Sequence, residues 1–315
     1  MLVDDSAKLQ QIMLEVESAG SVAIDTEFVW ERTYFPKLGL IQVGVSNESV
    51  WLVDSIAMHD LTPLAKVLSN PQIELILHDA IGDLTILHRA TNTLPKSIFD
   101  SRLAAGFAGL RSTISLRDLV IEMLGVELSK TVSRSDWTKR PLDQEQLKYA
   151  IDDVRYLPEI HERELELAEK LGNLNWLQEE LALLERDEAY INRQSQEVFR
   201  RVKGCNRLKP KDLAVLRELA ELREKVAKDR DIPRGWVIAD HDLLSLAIIK
   251  PDTESGVKIA KGLWAKENRY HNEIVAAVKK GVGLNQSEYP EPKPYVRDDK
   301  KVIKKAENLM KTIDK

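Results

Sequence analysis

The stretch Ser21 to Phe28, SVAIDTEF, decides the fold class. Its β-branched and apolar residues read as a strand, and the strand's period of two puts Asp25 and Glu27 on one face. Val22, Ala23 and Ile24 precede the acids and Phe28 follows them, so two like charges in apolar surroundings repel at a real cost unless cations lie between them. Taken alone, the pair also fits an exposed acidic strand end. Working outward, LGLIQVGV (Leu38 to Val45) and VWLVD (Val50 to Asp54) flank polar Ser46 to Ser49 in the pattern of a hairpin, which predicts three antiparallel neighbours. Before them, MLVDDSAKLQQIMLEVESAG has early acids and heptad-like apolar spacing, and reads as a first helix instead of a secretory signal. After them come a short helix, LTPLAKVL, with Pro63 in its first turn, and a strand from Ile73 to His78. A helix from Ala80 to Ala90 and a brief strand from Ser97 to Phe99 complete the run. The order β-β-β-α-β-α-β-α implies an α/β fold, a mixed sheet with helices packed on it.

From Ser115 the chain reads as helical. Ser115 is a plausible N-cap with Asp118 three residues on, Gly125 ends that helix, and Asp143 with Gln146 caps a second one. Pro158 is expected to kink or divide that second helix near Leu157. Around Arg193 to Lys211 the composition turns basic and polar, which places a domain junction there. Short helical stretches beyond it predict a small all-α bundle, and YPEPKPYVRDDKKVIKKAENLMKTIDK begins as a Pro-rich linker and ends in a basic amphipathic helix.

The composition agrees with two soluble domains in 315 residues, with 43% hydrophobic and 31% charged content. No apolar run approaches the roughly 20 residues that cross a bilayer. Lone Cys205 cannot form an internal disulfide, which fits a reducing compartment and a cytoplasmic location. The net charge of −5 hides a split: residues 1–192 carry 18 basic and 32 acidic residues, and residues 193–315 carry 28 and 19. An acidic half suited to cations and a basic half suited to phosphates is one reading; segregation of solvated faces is the other.

Further acids recur at element junctions. Asp83 lies one turn into the helix after the Ile73 to His78 strand, and Asp153 follows Tyr149 by four residues, which puts both side chains on one helix face. Singly, each fits a solvated position, and Asp152 with Asp153 an ordinary charged pair. Carboxylates with no Cys or His cluster suit hard cations, Mg²⁺ or Mn²⁺, and not zinc.

Asp25-Thr26-Glu27, His78-Asp79-Ala80 with Asp83, and Tyr149-Ala150-Ile151-Asp152-Asp153-Val154 resemble the three exonuclease motifs of the DEDD superfamily in its tyrosine-bearing branch. EFVWERTYFPKLGLIQVG and SRSDWTKRPLDQEQLKYAIDDV are similar to the ribonuclease D family. The resemblance covers nearly all of residues 20 to 165 and implies a ribonuclease H-like fold and 3′-5′ exoribonuclease activity with two divalent ions. It also implies roles: Asp25 bridging both ions, Glu27 and Asp153 completing the first site, Asp83 holding the second, and Tyr149 positioning the attacking water, with nucleoside 5′-monophosphates as products. The expected substrate is RNA with a free 3′ end, such as tRNA precursors, and the expected state a monomer. A DNA 3′-5′ exonuclease and a non-catalytic RNA-binding adaptor stay open as alternatives.

In that superfamily the residues beside the acids touch the terminal nucleotide, which nominates Thr26 and Phe28, although Phe28 fits core packing equally well. His78 is a further candidate nucleotide contact, although it fits a satisfied core histidine better than a catalytic one. Lys130, Arg134, Lys139 and Arg140 precede the Tyr149 helix and could grip phosphates, or simply form a solvated loop. Residues Arg207 to about Gly283 resemble the HRDC domain, with Leu216, Leu219 and Leu222 as buried stripe, Trp236 seating a turn and Asp240 capping a helix. Arg200, Arg201, Lys203, Arg207, Lys209 and Lys211 are its candidate phosphate contacts, against the plainer reading of a spacer. The expected division is therefore an exonuclease domain at 1–192, an HRDC domain at 205–285, and at 286–315 a linker and basic helix comparable to the start of a second such module.

Overall fold

The computed structural model describes residues 2–58, 60–128, 135–186, 195–260, 270–292 and 304–305. Two compact units divide the chain, Met1–Arg193 and Gln194–Lys315.

In the first unit, β2 (Ser21–Val29), β3 (Lys37–Gly44) and β4 (Val50–Val53) run antiparallel in sequence, as their alternation and the polar Ser46 to Ser49 turn dictate. β5 (Glu74–Leu77) and β6 (Ile98–Asp100) join parallel to β2, giving the order β1-β4-β3-β2-β5-β6. The N-terminus corrects the expectation of one continuous helix. Leu2–Val3 forms a short strand, β1, parallel to β4, and α1 (Ser6–Ala19) starts only after Asp5, whose carboxylate accepts the Lys8 N–H at 2.8 Å. A capping side chain there fixes the first turn more strongly than the apolar spacing upstream can extend it.

Two features of the sheet position the site. β2 pairs with β5 through Ser21, Val22 and Ala23, so Asp25 and Glu27 lie beyond that pairing, where the parallel strands end and the chain turns into α3 (Ile81–Thr91). Ligand sites in open α/β sheets form at such strand ends. The second feature is a bulge: Glu27 pairs with Leu40 and Phe28 with Leu38, leaving Gly39 as the extra residue. A Cβ on Gly39 would stand 2.4 Å from the Trp137 carbonyl oxygen, so only glycine admits the loop that crosses there.

Apolar residues of the sheet, among them Ile24, Ile41, Leu75 and Phe99, are fully buried with Leu9, Met13 and Val16 of α1 and Leu64 and Leu68 of α2 (Thr62–Leu68). α4 (Ser101–Phe107), α5 (Leu116–Leu124), α6 (Gln144–Arg155), α7 (Leu157–Lys170) and α8 (Leu174–Leu181) follow. The caps form as expected: Ser115 accepts from Asp118 N–H, Gly125 ends α5 at φ 69°, and Asp143 with Gln146 makes a reciprocal capping box. Pro158 separates α6 from α7, because it has no N–H for the preceding turn and its ring crowds that carbonyl.

The described elements of the second unit are helical. α9 (Pro210–Arg230) and α13 (His271–Val282) pack closely at Gly281, where a Cβ would meet the Val215 Cα at 2.6 Å. α10 (Arg234–Val237), α11 (Asp240–Ile249) and α12 (Glu254–Ala260) lie between them in sequence. Leu216 and Leu219 are fully buried as expected, whereas Leu222 is only partly so. Two expectations are corrected. Trp236 is 64% exposed, and Ile238, 3% exposed, fills the turn in its place. Asp240 is the first helical residue after the N-cap Ala239, and its carboxylate instead accepts from Arg223 Nη1 at 2.6 Å and Lys203 N–H at 2.9 Å.

Candidate metal centre

Three segments deliver the acids. Asp25 and Glu27 extend from β2 and Asp153 from α6, and one carboxylate oxygen from each lies within 4.8 Å of the others. Asp83 arrives from the first turn of α3, where a helix N-terminus favours negative charge. It is tied down by the residue between the first two acids: Thr26 donates its backbone N–H to Asp83 Oδ1 at 3.1 Å and its hydroxyl to the same oxygen. Tyr149 precedes Asp153 by one turn of α6, so its hydroxyl shares a face with that carboxylate and lies close to it. The second oxygen, Asp153 Oδ2, is buried without a hydrogen-bond partner among the described residues.

This packing of like charges shifts every acid upward. Burial first, then Asp83, Asp153 and Glu27, holds Asp25 well above the ordinary carboxylate range. Burial followed by Asp153 and Asp83 pushes Glu27 to about 9. Burial raises Asp83 to about 6 against the opposing Thr26 bonds, and raises Asp153 to about 7 against the nearby Tyr149 hydroxyl. The Tyr149 hydroxyl is also driven up, by burial and by Asp153, Glu27 and Asp25, so it stays a phenol. Without cations, burial and mutual repulsion favour the neutral forms, of Asp25 and Glu27 above all; a divalent cation among the acids would remove the repulsion and give the orphaned Asp153 oxygen a partner. The donor set therefore fits divalent metal ions.

A loop and a turn brace the centre. Trp137 is fully buried with its ring centroid 6.1 Å from that of Tyr149, at an interplanar angle of 36°. Arg140, on the same loop, spends all five guanidinium donors on protein acceptors: Nε and Nη2 on Asp54, Nη2 also on the Gly39 carbonyl, and Nη1 on the carbonyls of Trp137 and Lys139. The expectation that Arg140 grips phosphate is thus corrected. On the other side, Asp100 accepts the N–H groups of Asp79 and Ala80 at 3.0 and 2.9 Å while capping α4, which fixes the turn leading to Asp83.

His78 is likewise no nucleotide contact in this arrangement: Nδ1 meets Ser101 Oγ at 2.8 Å, Nε2 meets the Ile114 carbonyl at 3.2 Å, and burial lowers its pKa. Thr26 is 4% exposed with its hydroxyl committed to Asp83, so it serves as a tether. Phe28 is half-buried and Lys139 exposed; Lys130 and Arg134 lie outside the described residues. In the second unit Arg201, Lys203, Arg207, Lys209 and Lys211 are exposed, whereas Arg200 pairs with Glu197 and donates to the Glu291 carbonyl at 3.1 Å. Sequence reasoning missed Asp54, Asp100 and Trp137. Asp100 had a local signal, an acid directly before a helix; the Arg140 partnership with Asp54 spans 86 positions and had none.

Comparison with known proteins agrees with this geometry. Residues 1–168 match a family described as 3′-5′ exonuclease, and residues 212–278 match the HRDC domain. The chain is 40% identical over 291 residues to ribonuclease D of Desulfotalea psychrophila, covering 92% of this chain and 77% of that one. It is 35% identical over 297 residues to ribonuclease D of Pseudomonas paraeruginosa, covering 93% and 77%. Among solved structures, Escherichia coli RNase D, described as an exoribonuclease involved in structured RNA processing, superposes with a TM-score of 0.83 at 28% identity, covering 100% of this chain and 83% of that one. With its acidic centre on a mixed sheet followed by an HRDC helical domain, the chain belongs to the ribonuclease D family.

Proposed function

We infer that this chain is an exoribonuclease that removes nucleotides one at a time from RNA 3′ ends, using two divalent ions, Mg²⁺ or Mn²⁺. The observation that carries the reading is the convergence of Asp25, Glu27 and Asp153 with Asp83 tethered alongside. Asp25, on which the other three acids press, would hold both ions, with Glu27 and Asp153 completing one position and Asp83 the other. Bound there, the ions supply the positive charge that activates a water and stabilises the departing 3′ oxygen. The Tyr149 phenol lies close to Asp153, and its oxygen keeps lone pairs to orient the attacking water. Because its pKa is raised, Tyr149 positions and does not act as a base. The water oxygen joins phosphorus, the bond to the 3′ oxygen breaks, and a nucleoside 5′-monophosphate leaves.

The exposed basic residues Arg201, Lys203, Arg207, Lys209 and Lys211 hold the RNA backbone. Structured stable RNA, tRNA precursors in particular, is the substrate class, in line with the structured RNA processing described for E. coli RNase D. A monomer in the cytoplasm completes the reading. A time course on a 3′-tailed RNA and its DNA counterpart, with Mg²⁺ or EDTA, tests it. Stepwise release of 5′-monophosphates from RNA that stops in EDTA is expected; faster loss of DNA would reassign the substrate, and metal-independent binding without release would make the chain an adaptor.

A further inference from the structure

Gln42 is fully buried, and neither its amide nitrogen nor its carbonyl oxygen has a hydrogen-bond partner among the described residues. It stands in β3 directly opposite Asp25 of β2, with Leu52 of β4 on its other side. Residues directly opposite in an antiparallel pair project from the same face with Cβ atoms roughly 5 Å apart, so the amide of Gln42 neighbours the Asp25 carboxylate. That face also holds the apolar patch of Leu40, Leu52 and Trp137, which a leucine at position 42 would simply extend. A buried amide without partners is instead disfavoured, and apolar packing gives no reason for it.

The acids supply the reason. Asp83 has a neutral side-chain donor in Thr26, and the Tyr149 hydroxyl stands close to Asp153. Asp25 is pressed by three like charges, while the Thr26 N–H beside it is spent on Asp83. We propose that Gln42 is the positioning residue of Asp25: its amide N–H donates to the carboxylate once the cations are loaded, holding the other lone pairs toward them. This deepens the two-ion reading above and rests on it. Asp83, Asp153 and Asp25 then each have a neutral polar side chain beside them: Thr26 from β2, Tyr149 from one helical turn away, and Gln42 from across the strand pair.

The test uses the full chain with Mn²⁺ as probe, measuring its affinity by titration calorimetry and, separately, the melting temperature in EDTA. Gln42→Met and Gln42→Leu are each expected to weaken Mn²⁺ binding about tenfold, as loss of a partner behind a metal ligand does, while leaving the metal-free melting temperature unchanged or higher. Leu52→Met, a packing control beside Gln42, is expected to change neither. In wild type, the Gln42 side-chain amide protons, assigned by their loss in Gln42→Met, should move downfield and exchange more slowly when Mg²⁺ is added. Unchanged Mn²⁺ affinity in both Gln42 variants, or a lowered metal-free melting temperature in both, overturns the proposal. Failure of wild type to bind Mn²⁺ at all would overturn the cation reading beneath it, and so be told apart.

Discussion

Arg140 grips Asp54 with two parallel bonds, Nε to Oδ2 and Nη2 to Oδ1, both at 2.6 Å. Asp54 is almost fully buried, and the pair pins the loop that carries Trp137 under Tyr149. Arg140→Ala leaves a buried carboxylate without its counterion and should cost about 3 kcal/mol. Chemical denaturation checks this. The dependence of RNA affinity on salt should not change, whereas loss of a phosphate contact would reduce its slope by about one.

Asp25→Asn and Glu27→Gln should each slow mononucleotide release on the order of 10³-fold or more, the scale of removing a preorganised charge-stabilising group. In EDTA the same variants should melt higher than wild type, because a neutral amide spares the fold the cost of keeping a buried acid protonated. Opposite signs in a rate assay and a thermal melt mark a site held together by bound cations.

Tyr149→Phe removes the hydroxyl beside Asp153 and keeps the ring that packs on Trp137. The expected outcome is a fall in kcat of roughly 10²-fold with KM and Mn²⁺ affinity nearly unchanged. A matching loss of metal affinity would assign Tyr149 to ligand support instead.

The pH dependence follows from the raised acids. Glu27 titrates at about 9, Asp153 at about 7 and Asp83 at about 6, all above their values in an unfolded chain. Their neutral forms suit the fold, so the metal-free protein is most stable below about pH 4 as far as these groups decide. It loses that contribution as pH rises through 6, 7 and 9. Melting temperatures in EDTA should fall across that window, and saturating Mg²⁺ should abolish the fall. Calorimetry in buffers of different ionisation enthalpy should show protons released on metal binding at pH 7.

Lys209→Ala with Lys211→Ala should raise KM for RNA and lower the salt slope of binding by up to about two, leaving kcat unchanged. Fluorescence anisotropy at several salt concentrations measures this.

The clustering of the acids was legible in sequence where an element has a firm local rule: Asp25 and Glu27 by the period of a strand, Asp153 and Tyr149 by one helical turn. Caps such as Asp143 with Gln146 were legible for the same reason, since the partners lie three residues apart. The illegible part depends on distant chain. Nothing near Arg140 announces Asp54, so its charge read as a phosphate contact. His78 and Thr26 looked available for nucleotides until Ser101, Ile114 and Asp83 were seen to claim them. Trp236 misled in the opposite sense, since a large aromatic suggests burial and the neighbouring Ile238 takes that place.

The extra residue at Gly39 has a consequence for misfolding. A slide of β2 by a single position against β3 would rotate every second side chain through the sheet, turning Thr26 and Phe28 toward α6 and hiding Asp25 and Glu27 on the far side. Because the irregularity falls between Glu27 and Phe28, where the crossing Trp137 backbone leaves space for a hydrogen atom and nothing larger, the two strands interlock in one alignment. The same notch that admits the bracing loop therefore acts as a key, and the reactive face of the molecule is chosen when β2 meets β3.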